Sequence, residues 1–218
     1  MEVTVMKNIL GENDRIAAEN QALFKEKNVY VLNLMGSPGA GKTSLLEKTM
    51  ERIKDKVRMA VIEGDLFTSK DAERIEKHGV PVIQINTAGG CHLDAPMVQK
   101  TAVKLDLDHL DLLIVENVGN LVCPAEFDTG AAVNAVILSV PEGDDKPLKY
   151  PLMFEKADVV ILNKCDVLPY FDFDLDTFRK YLRDRNDSCD LIQISAKTGA
   201  GTDELAAWIE RTYEAWRA

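Results

Sequence analysis

Apolar residues are concentrated in seven short runs that are spaced along almost the whole chain. The first is VYVLNLM, residues 29–35, in which nearly every position is apolar. Such a run is typical of a strand that is buried on both faces, as in a parallel sheet covered by helices. Six comparable runs each predict a further strand, at residues 57–63, 80–86, 111–117, 132–140, 157–164 and 190–195.

Between most of these runs, apolar residues recur at helical spacing. Helices are predicted at residues 43–54, 69–79, 94–105 and 202–216. Asp94 is a suitable N-cap for the third helix, and Gly79 is a suitable C-cap for the second. Strands that alternate with helices indicate βαβ units. The pattern therefore predicts an α/β fold whose parallel-dominated sheet is flanked by helices on both faces.

A looser apolar face over residues 6–27 predicts a helical lead-in before the first strand. We therefore divide the chain into an N-terminal helical segment, residues 1–28, packed on one larger domain, residues 29–218. A length of 218 residues fits one domain with an appendage, and 46% hydrophobic and 28% charged residues are ordinary for a globular protein.

Charge and hydropathy exclude two classes of partner. The chain carries 36 acidic and 26 basic residues, a net charge of −10, which repels the phosphates of nucleic acids. No run of 18 apolar residues could cross a membrane, and the first residues, MEVTVMKNILGENDR, lack the apolar segment of a signal peptide. We therefore expect a cytoplasmic protein that binds neither nucleic acid nor membrane.

The stretch GSPGAGKT, residues 36–43, follows the first predicted strand and matches the phosphate-binding pattern G-x-x-x-x-G-K-[ST] in full. Its glycines let backbone N–H groups surround phosphate oxygens, and the following helix adds its positive end. Lys42 can reach the β- and γ-phosphates, while Thr43 offers a hydroxyl to Mg²⁺. The motif predicts a P-loop NTPase whose phosphates are bound by Gly36, Ser37, Gly39, Ala40, Gly41, Lys42, Thr43 and Ser44.

Two further motifs, NKCD (163–166) and SAKTG (195–199), each follow a predicted strand. The carboxylate of Asp166 can accept hydrogen bonds from N1–H and the exocyclic amine of guanine, which adenine does not offer. In this order the motifs resemble the guanine-specificity elements of P-loop GTPases. They predict GTP or GDP as the ligand, with the base held by Asn163, Lys164, Asp166, Ser195, Ala196 and Lys197.

Acidic residues after two other strands predict the hydrolytic machinery. Asp65 is placed to meet Mg²⁺ directly or through water, and these two roles stay open. ENVG, residues 116–119, resembles the γ-phosphate sensor of GTPases with Glu in place of Asp. Asn120 stands where some GTPases carry a water-positioning Gln, so we expect a GTPase with slow intrinsic turnover. The predicted catalytic residues are Lys42, Asp65, Glu116 and Gly119, and the predicted Mg²⁺ ligands are Thr43, Asp65 and Glu116.

Cys91 and His92 are adjacent in NTAGGCHLDAP, residues 86–96, and Cys123 lies four residues beyond Gly119. Both segments follow strands and are expected at the same edge of the sheet. Two thiolates and an imidazole suit Zn²⁺ or Ni²⁺, and three ligands leave one position open. The spacing is no C-x-x-C signature, so two small buried thiols and a hydrogen-bonded histidine are the alternative.

The stretches GSPGAGKTSLLEKT, EGD, NTAGGCHLD, ENVGNLVCP, KPLKYP and NKCD together resemble the HypB family, over about residues 5–215. These are nucleotide-dependent dimeric GTPases of nickel insertion into [NiFe]-hydrogenase. The resemblance implies a metal site at Cys91, His92 and Cys123, a GTP-dependent homodimer, and hydrogenase maturation proteins and the hydrogenase large-subunit precursor as partners. It also implies that Lys146 or Lys149 reaches the partner subunit. The N-terminal C-x-x-C-G-C site or His-rich stretch of some relatives is not in this sequence.

The position of Cys123 leads to a hypothesis: GTP binding draws Gly119 toward the γ-phosphate, residues 117–123 follow, and the metal site changes its affinity. Three alternatives stay open. One is a zinc-clasped dimeric GTPase with a structural metal, and another is a small-molecule kinase with the same phosphate loop. The third is a sister metallochaperone GTPase of the urease or cobalamin type, although the urease type carries Cys-Pro-His. Which metal occupies the site is also open.

Overall fold

Seven strands form one sheet in which every ladder between neighbouring strands is parallel, as predicted. The structure is a computed structural model that describes residues 4–66 and 69–218, with only the helical backbone for residues 4–9. The strand order is β3-β2-β4-β1-β5-β6-β7. The strands are β1 (Tyr30–Gly36), β2 (Met59–Asp65), β3 (Val82–Asn86), β4 (Leu112–Glu116), β5 (Val133–Ser139), β6 (Val159–Asn163) and β7 (Asp190–Gln193).

Helices connect these strands and cover both faces of the sheet. They are α1 (Thr4–Glu26), α2 (Lys42–Ile53), α3 (Lys70–Glu76), α4 (Ala95–Ala102), α5 (Cys123–Glu126), α6 (Lys146–Lys149), α7 (Pro151–Glu155), α8 (Leu175–Arg185) and α9 (Thr202–Arg217). The four predicted helices after β1 are confirmed with small differences at their ends. The sequence pattern missed α8, because Phe178 and Leu182 are its only buried residues.

The core lies on both sides of β1, whose alternate residues face opposite layers. Leu32 and Leu34 pack in a cluster with residues of α2 and α9, including Leu45 and Trp208. Val31 packs on the other side with residues of α1 and α4. The continuous apolar runs are therefore explained by helices on both faces of each central strand.

The N-terminal helix α1 is attached to the rest of the chain by two asparagines. The side-chain nitrogen of the buried Asn20 donates to the carbonyls of Ala95 and Thr129, each at 3.0 Å. Asn13 accepts from the N–H of Ala95 at 2.9 Å. Residues 1–3 of the predicted lead-in lie outside the described residues, and the division at residue 28 stays a prediction. Within 4–66 and 69–218, no helix is long and apolar enough to cross a membrane.

The carboxyl ends of the strands meet at one edge of the sheet. Strand β1 is the point at which the connections switch from one direction across the sheet to the other. Strand β1 lies between β4 and β5, so that successive connections run to opposite sides of it. Open parallel sheets bind their ligands outside such a point. The residues that end β1, β2, β4 and β6 are Gly36, Asp65, Glu116 and Asn163, all of them predicted site residues.

Candidate nucleotide and metal site

The predicted phosphate loop connects the end of β1 to α2, which begins at Lys42. Gly41 has φ of 101°, and a Cβ on it would lie 2.5 Å from Nδ2 of Asn163. Gly119 approaches the loop from the other side, where a Cβ would lie 2.9 Å from Cα of Pro38. Two segments therefore pack against the loop so closely that only glycine fits at these positions.

A cavity of about 500 Å³ opens beside this loop. It is bordered by the loop, the end of β2, α3 and the segment that follows β4. Its lining includes all of the predicted catalytic residues and Mg²⁺ ligands, namely Lys42, Thr43, Asp65, Glu116 and Gly119. It also includes Glu63, Asp71 and Arg74, which the sequence patterns had not singled out. Its position at the helix N-terminus suits a phosphate chain.

Lys42 is folded back onto the loop from which it comes. Its ammonium lies 3.5 Å from the carbonyl oxygen of Gly36 and 3.4 Å from that of Ser37. Burial lowers the pKa of Lys42, while the nearby carboxylates of Glu116 and Asp71 act in the opposite direction. An anion in the cavity would offer this ammonium a stronger partner than two neutral carbonyls.

Thr43 and Glu116 form a buried hydrogen-bonded pair at the floor of the cavity. The hydroxyl of Thr43 donates to Oε1 of Glu116 at 2.8 Å. The other carboxyl oxygen, Oε2, is buried and has no hydrogen-bond partner among the described residues. Burial raises the pKa of Glu116 to about 7. A hydroxyl beside an unpartnered carboxylate oxygen is a set of ligands that fits Mg²⁺.

Two acidic residues of β2 border the same cavity. Asp65 ends the strand and is partly exposed. Glu63 is buried at 3% exposure, and its pKa is raised to about 8, first by burial and then by the charges of Glu116 and Asp65. Glu63 could have been noticed in the sequence, because it is an acidic residue at the end of the apolar run VRMAVIE.

Asn163 joins the phosphate loop to the predicted base-binding motifs. Its Nδ2 donates to the carbonyl of Ala40 at 2.9 Å, and its Oδ1 accepts from the N–H of Ala196 at 3.0 Å and of Lys164 at 2.7 Å. The ammonium of Lys164 donates to the carbonyl of Gly39 at 2.6 Å. The NKCD and SAKTG motifs are therefore held against the phosphate loop.

Asp166 is oriented by the second of these motifs. Its Oδ1 accepts from the hydroxyl of Ser195 at 2.7 Å, and that hydroxyl accepts from the N–H of Thr198 at 3.2 Å. Ala196 is buried and Lys197 is exposed. The structure thus gathers the predicted base-binding residues in one corner, because β6 and β7 are neighbours in the sheet.

Cys91, His92 and Cys123 come together at the same edge of the sheet. Their potential ligand atoms all lie within 4.8 Å of one another. The two sulfur atoms are 2.9 Å apart, and Sγ of Cys91 lies 3.6 Å from Nδ1 of His92. Both cysteines are free thiols. This cluster has the softness and spacing to hold one Zn²⁺ or Ni²⁺ ion.

The cluster is shaped by its immediate neighbours. The ring of His92 stacks on Phe127, with centroids 4.0 Å apart. Burial lowers the pKa of His92, which favours the neutral imidazole that metals bind. The hydrogen bond with Cys91, followed by burial, raises the pKa of Cys123. Cys91 is exposed, so the cluster is open to solvent on one side.

Two asparagines connect this cluster to the nucleotide cavity. Oδ1 of Asn117 accepts from the N–H of Leu93 at 2.9 Å and from that of Val118 at 3.0 Å. Nδ2 of Asn120 donates to the carbonyl of Cys91 at 3.2 Å. The side chain of Asn120 thus reaches the metal cluster, whereas its sequence position suggested a place beside the attacking water.

The comparisons with known proteins agree with this arrangement. Residues 30–193 match the family model described as "CobW/HypB/UreG, nucleotide-binding domain". Over 207 residues the chain is 54% identical to the hydrogenase maturation factor HypB of Azotobacter vinelandii, which covers 95% of this chain and 68% of that protein. The chain belongs to the HypB family. The predicted family is therefore confirmed.

Solved HypB structures share the fold. HypB from Helicobacter pylori, crystallised in complex with nickel, has a TM-score of 0.89 and 40% identity, covering 95% of this chain and 98% of that one. HypB from Archaeoglobus fulgidus has a TM-score of 0.87 and 35% identity, covering 93% and 99%. The fold of this chain, with its seven-stranded parallel sheet, is thus shared with solved HypB structures over more than nine tenths of its length.

Proposed function

We propose that this HypB-family chain binds and slowly hydrolyses GTP, and that the bound nucleotide controls a nickel ion held by Cys91, His92 and Cys123. The nickel ion is the cargo that the chain delivers during the maturation of [NiFe]-hydrogenase. One observation carries the proposal: a single short segment borders both sites. Glu116 and Gly119 line the nucleotide cavity, and Cys123 follows in the metal cluster.

Guanine specificity is supported by the surroundings of Asp166. The hydroxyl of Ser195 donates to one of its carboxyl oxygens and orients the group, and both oxygens keep free lone pairs that can accept from the base. A partly buried carboxylate opposite adenine would meet no matching donors, which costs the full desolvation of that group. Ala196 and Lys197 complete the base side, and Asn163 connects them to the phosphate loop.

Phosphate binding and hydrolysis are assigned to the cavity residues. Thr43 and Glu116 would hold Mg²⁺, with Asp65 reaching the ion or its water shell at the edge of the cavity. When bound, Mg²⁺ neutralises charge that develops on the phosphate oxygens. Lys42 exchanges the carbonyls of its own loop for the β- and γ-phosphates. The N–H of Gly119, which lines the cavity, would donate to the γ-phosphate and so report its presence.

Coupling to the metal cluster runs through Asn117 and Asn120. A displacement of residues 117–120 toward the γ-phosphate pulls on the N–H of Leu93 and the carbonyl of Cys91 at the same time. Cys123 belongs to the same segment and moves relative to the other two ligands. Couplings of about 1–3 kcal/mol change a binding constant about 5- to 150-fold, enough to convert a metal holder into a donor.

The assembly belongs to the proposal as well. We infer a GTP-dependent homodimer, supported by the exposed apolar side chains of Leu148, Tyr170 and Phe171. Lys146 and Lys149 both pair with Asp145 of their own chain, so either would have to exchange that partner to reach a second subunit. Hydrogenase maturation proteins and the large-subunit precursor are the expected partners.

A cytoplasmic location completes the proposal, because the cluster requires reduced cysteines. All four cysteines of the chain are free thiols, and thiols persist in a reducing compartment.

Nucleotide turnover tests the enzymatic part of the proposal. Phosphate release is measured with GTP and with ATP in Mg²⁺, and with GTP in EDTA, for the wild-type chain and for Lys42→Ala. We expect slow release that requires GTP, Mg²⁺ and Lys42. Equal turnover of ATP, or turnover of GTP that survives in Lys42→Ala, would contradict the assignment of the site.

A further inference from the structure

A second buried glutamate stands directly beside Glu116 in the sheet. Glu63 of β2 pairs with Glu116 of β4 in the parallel ladder, and both are only 3% exposed. Paired residues of neighbouring strands project from the same face of a sheet. Both side chains line the nucleotide cavity. Two carboxyl groups therefore lie side by side where a core strand ordinarily carries apolar residues.

Within the described part of the chain, little compensates Glu63. Its Oε2 is buried and has no hydrogen-bond partner there. The nearby charges are mostly negative, those of Glu116, Asp65 and Asp71. The guanidinium of Arg74 is already shared between Asp71 and Glu47. Burying a carboxyl group without a partner costs free energy. This cost indicates that the site binds a cation.

The ammonium of Lys42 is a nearby positive charge that acts on Glu63, but a bound nucleotide would draw it to the phosphates. Lys42 contributes to the electrostatics of both Glu63 and Glu116 in the free chain. Once it turns toward the β- and γ-phosphates, the two glutamates lose it and require another cation. Because a nucleoside triphosphate binds as its Mg²⁺ complex, the same event would offer the two glutamates a divalent cation.

We propose that Glu63 positions this Mg²⁺ ion by accepting hydrogen bonds from the water molecules in its coordination shell. The inference rests on the proposed function, since it requires that the cavity binds a magnesium nucleotide. Thr43 and Glu116, hydrogen-bonded to each other, would hold the ion directly. Mg²⁺ keeps several coordinated waters and binds few protein carboxylates directly. A further buried carboxylate would therefore accept hydrogen bonds from those waters. Glu63 is thus a positioning residue rather than a ligand.

The variant Glu63→Gln tests the assignment, because it keeps the shape of the side chain and removes the charge. The measured quantity is the Mg²⁺ concentration that half-restores binding of a fluorescent GDP analogue after EDTA treatment. Removal of an outer-shell partner typically lowers metal affinity about 10- to 100-fold. We expect Glu63→Gln to lower the Mg²⁺ affinity by a factor of this size. The control is Asp108→Asn, which likewise removes one negative charge, but from an ion pair with Lys27 outside the cavity lining. We expect the half-restoring Mg²⁺ concentration of this control to stay within about threefold of the wild-type value, because a partly exposed ion pair contributes little.

A spectroscopic readout separates positioning from a structural effect. The electron paramagnetic resonance spectrum of Mn²⁺ bound with GDP should differ between wild type and Glu63→Gln, and should not differ between wild type and Asp108→Asn. Nucleotide affinity in EDTA should be equal in all three proteins. If Glu63→Gln fails to fold, Glu63→Asp carries the test, since it keeps the charge but retracts it from the water shell.

The outcomes distinguish the two proposals. A wild-type chain whose nucleotide binding ignores Mg²⁺ would overturn the proposed function, and this inference with it. A wild-type chain that requires Mg²⁺, together with a Glu63→Gln variant that matches Asp108→Asn in affinity and spectrum, would overturn only the role of Glu63.

Discussion

The side-chain amide of Asn120 donates to the backbone carbonyl of Cys91 over 3.2 Å, while its backbone N–H donates to the carbonyl of Gly36 over 2.9 Å. One residue is therefore bonded to the start of the phosphate loop and to the first residue of the candidate metal cluster. Oδ1 of Asn120 also accepts from the N–H of Val122, next to Cys123. A displacement at one site thus has a direct route to the other.

Replacing Asn120 by alanine should uncouple the two sites without destroying either. The variant removes the bond to Cys91 but keeps the backbone bond to Gly36. We expect the ratio of Ni²⁺ affinities in the two nucleotide states to fall toward one, from a wild-type value of about 5 to 150. Gln99→Ala, which removes an exposed amide from α4, is the control and should keep the wild-type ratio. An unchanged ratio in Asn120→Ala would exclude this route.

Loss of Cys123 should abolish metal binding and spare the nucleotide. In Cys123→Ser the cluster keeps only Cys91 and His92, too few ligands for a closed Zn²⁺ or Ni²⁺ site. We expect no stoichiometric Ni²⁺ binding but an unchanged GDP affinity, measured by calorimetry on the same sample. The buried thiol of Cys189 provides the control, because Cys189→Ala should still bind metal. Stoichiometric Ni²⁺ in Cys123→Ser would place the site elsewhere.

The base preference should follow the chemistry of residue 166. Asp166→Asn replaces a carboxylate, which only accepts hydrogen bonds, by an amide, which also donates them. The amide matches the two carbonyls and N–H groups of xanthine better than it matches the groups of guanine. Two charge-assisted hydrogen bonds of about 1.5–3 kcal/mol each are at stake, so GTP affinity should fall at least about 100-fold. Competition between the two nucleotides measures the change. Unaltered GTP preference would show that Asp166 does not read the base.

An ion pair remote from both sites predicts part of the acid sensitivity. Asp111 accepts from Nε and the backbone N–H of Arg58 at 2.8 and 3.0 Å, and these bonds lower its pKa to about 2. A pKa that is lower in the folded state stabilises the protein above the unfolded value near 4, and this stabilisation is lost as the pH falls toward 2. Since Arg58 is largely exposed and solvent screens its charge, we expect the ion pair to contribute about 1 kcal/mol to the free energy of unfolding.

Urea unfolding of Asp111→Asn measures this contribution. The variant should be less stable than wild type at pH 7, and the difference should shrink between pH 4 and pH 2. The control, Asp176→Asn, removes a carboxylate that is 93% exposed and should show no such convergence. A stability difference for Asp111→Asn that is the same at pH 7 and pH 3 would contradict the lowered pKa.

Local patterns were sufficient to predict most of the fold. Each strand has its own apolar run, and the phosphate loop is a contiguous motif, so neither required knowledge of distant residues. Helix α8 was missed because its surface is almost entirely polar. The bond between Asn120 and Cys91 joins residues 29 positions apart, and such a contact has no local signature.

The same distinction applies to the candidate site. The ligand cluster was predicted from residue type and from the shared edge of the sheet. The role of Glu63, in contrast, depends on its register opposite Glu116 and on an oxygen without a partner among the described residues. A sequence shows that a carboxylate interrupts an apolar strand, but only the packed sheet shows what lies beside it.

A nickel titration in two nucleotide states tests the central claim most directly. Metal-free protein is titrated with Ni²⁺ in GDP and in a non-hydrolysable GTP analogue, with thiolate-to-nickel charge-transfer absorption as the signal and Zn²⁺ as competitor. We predict that the affinity differs about 5- to 150-fold between the two states. Equal affinities in both states, with Zn²⁺ bound tightly throughout, would contradict the account and make Cys91, His92 and Cys123 a structural zinc clasp.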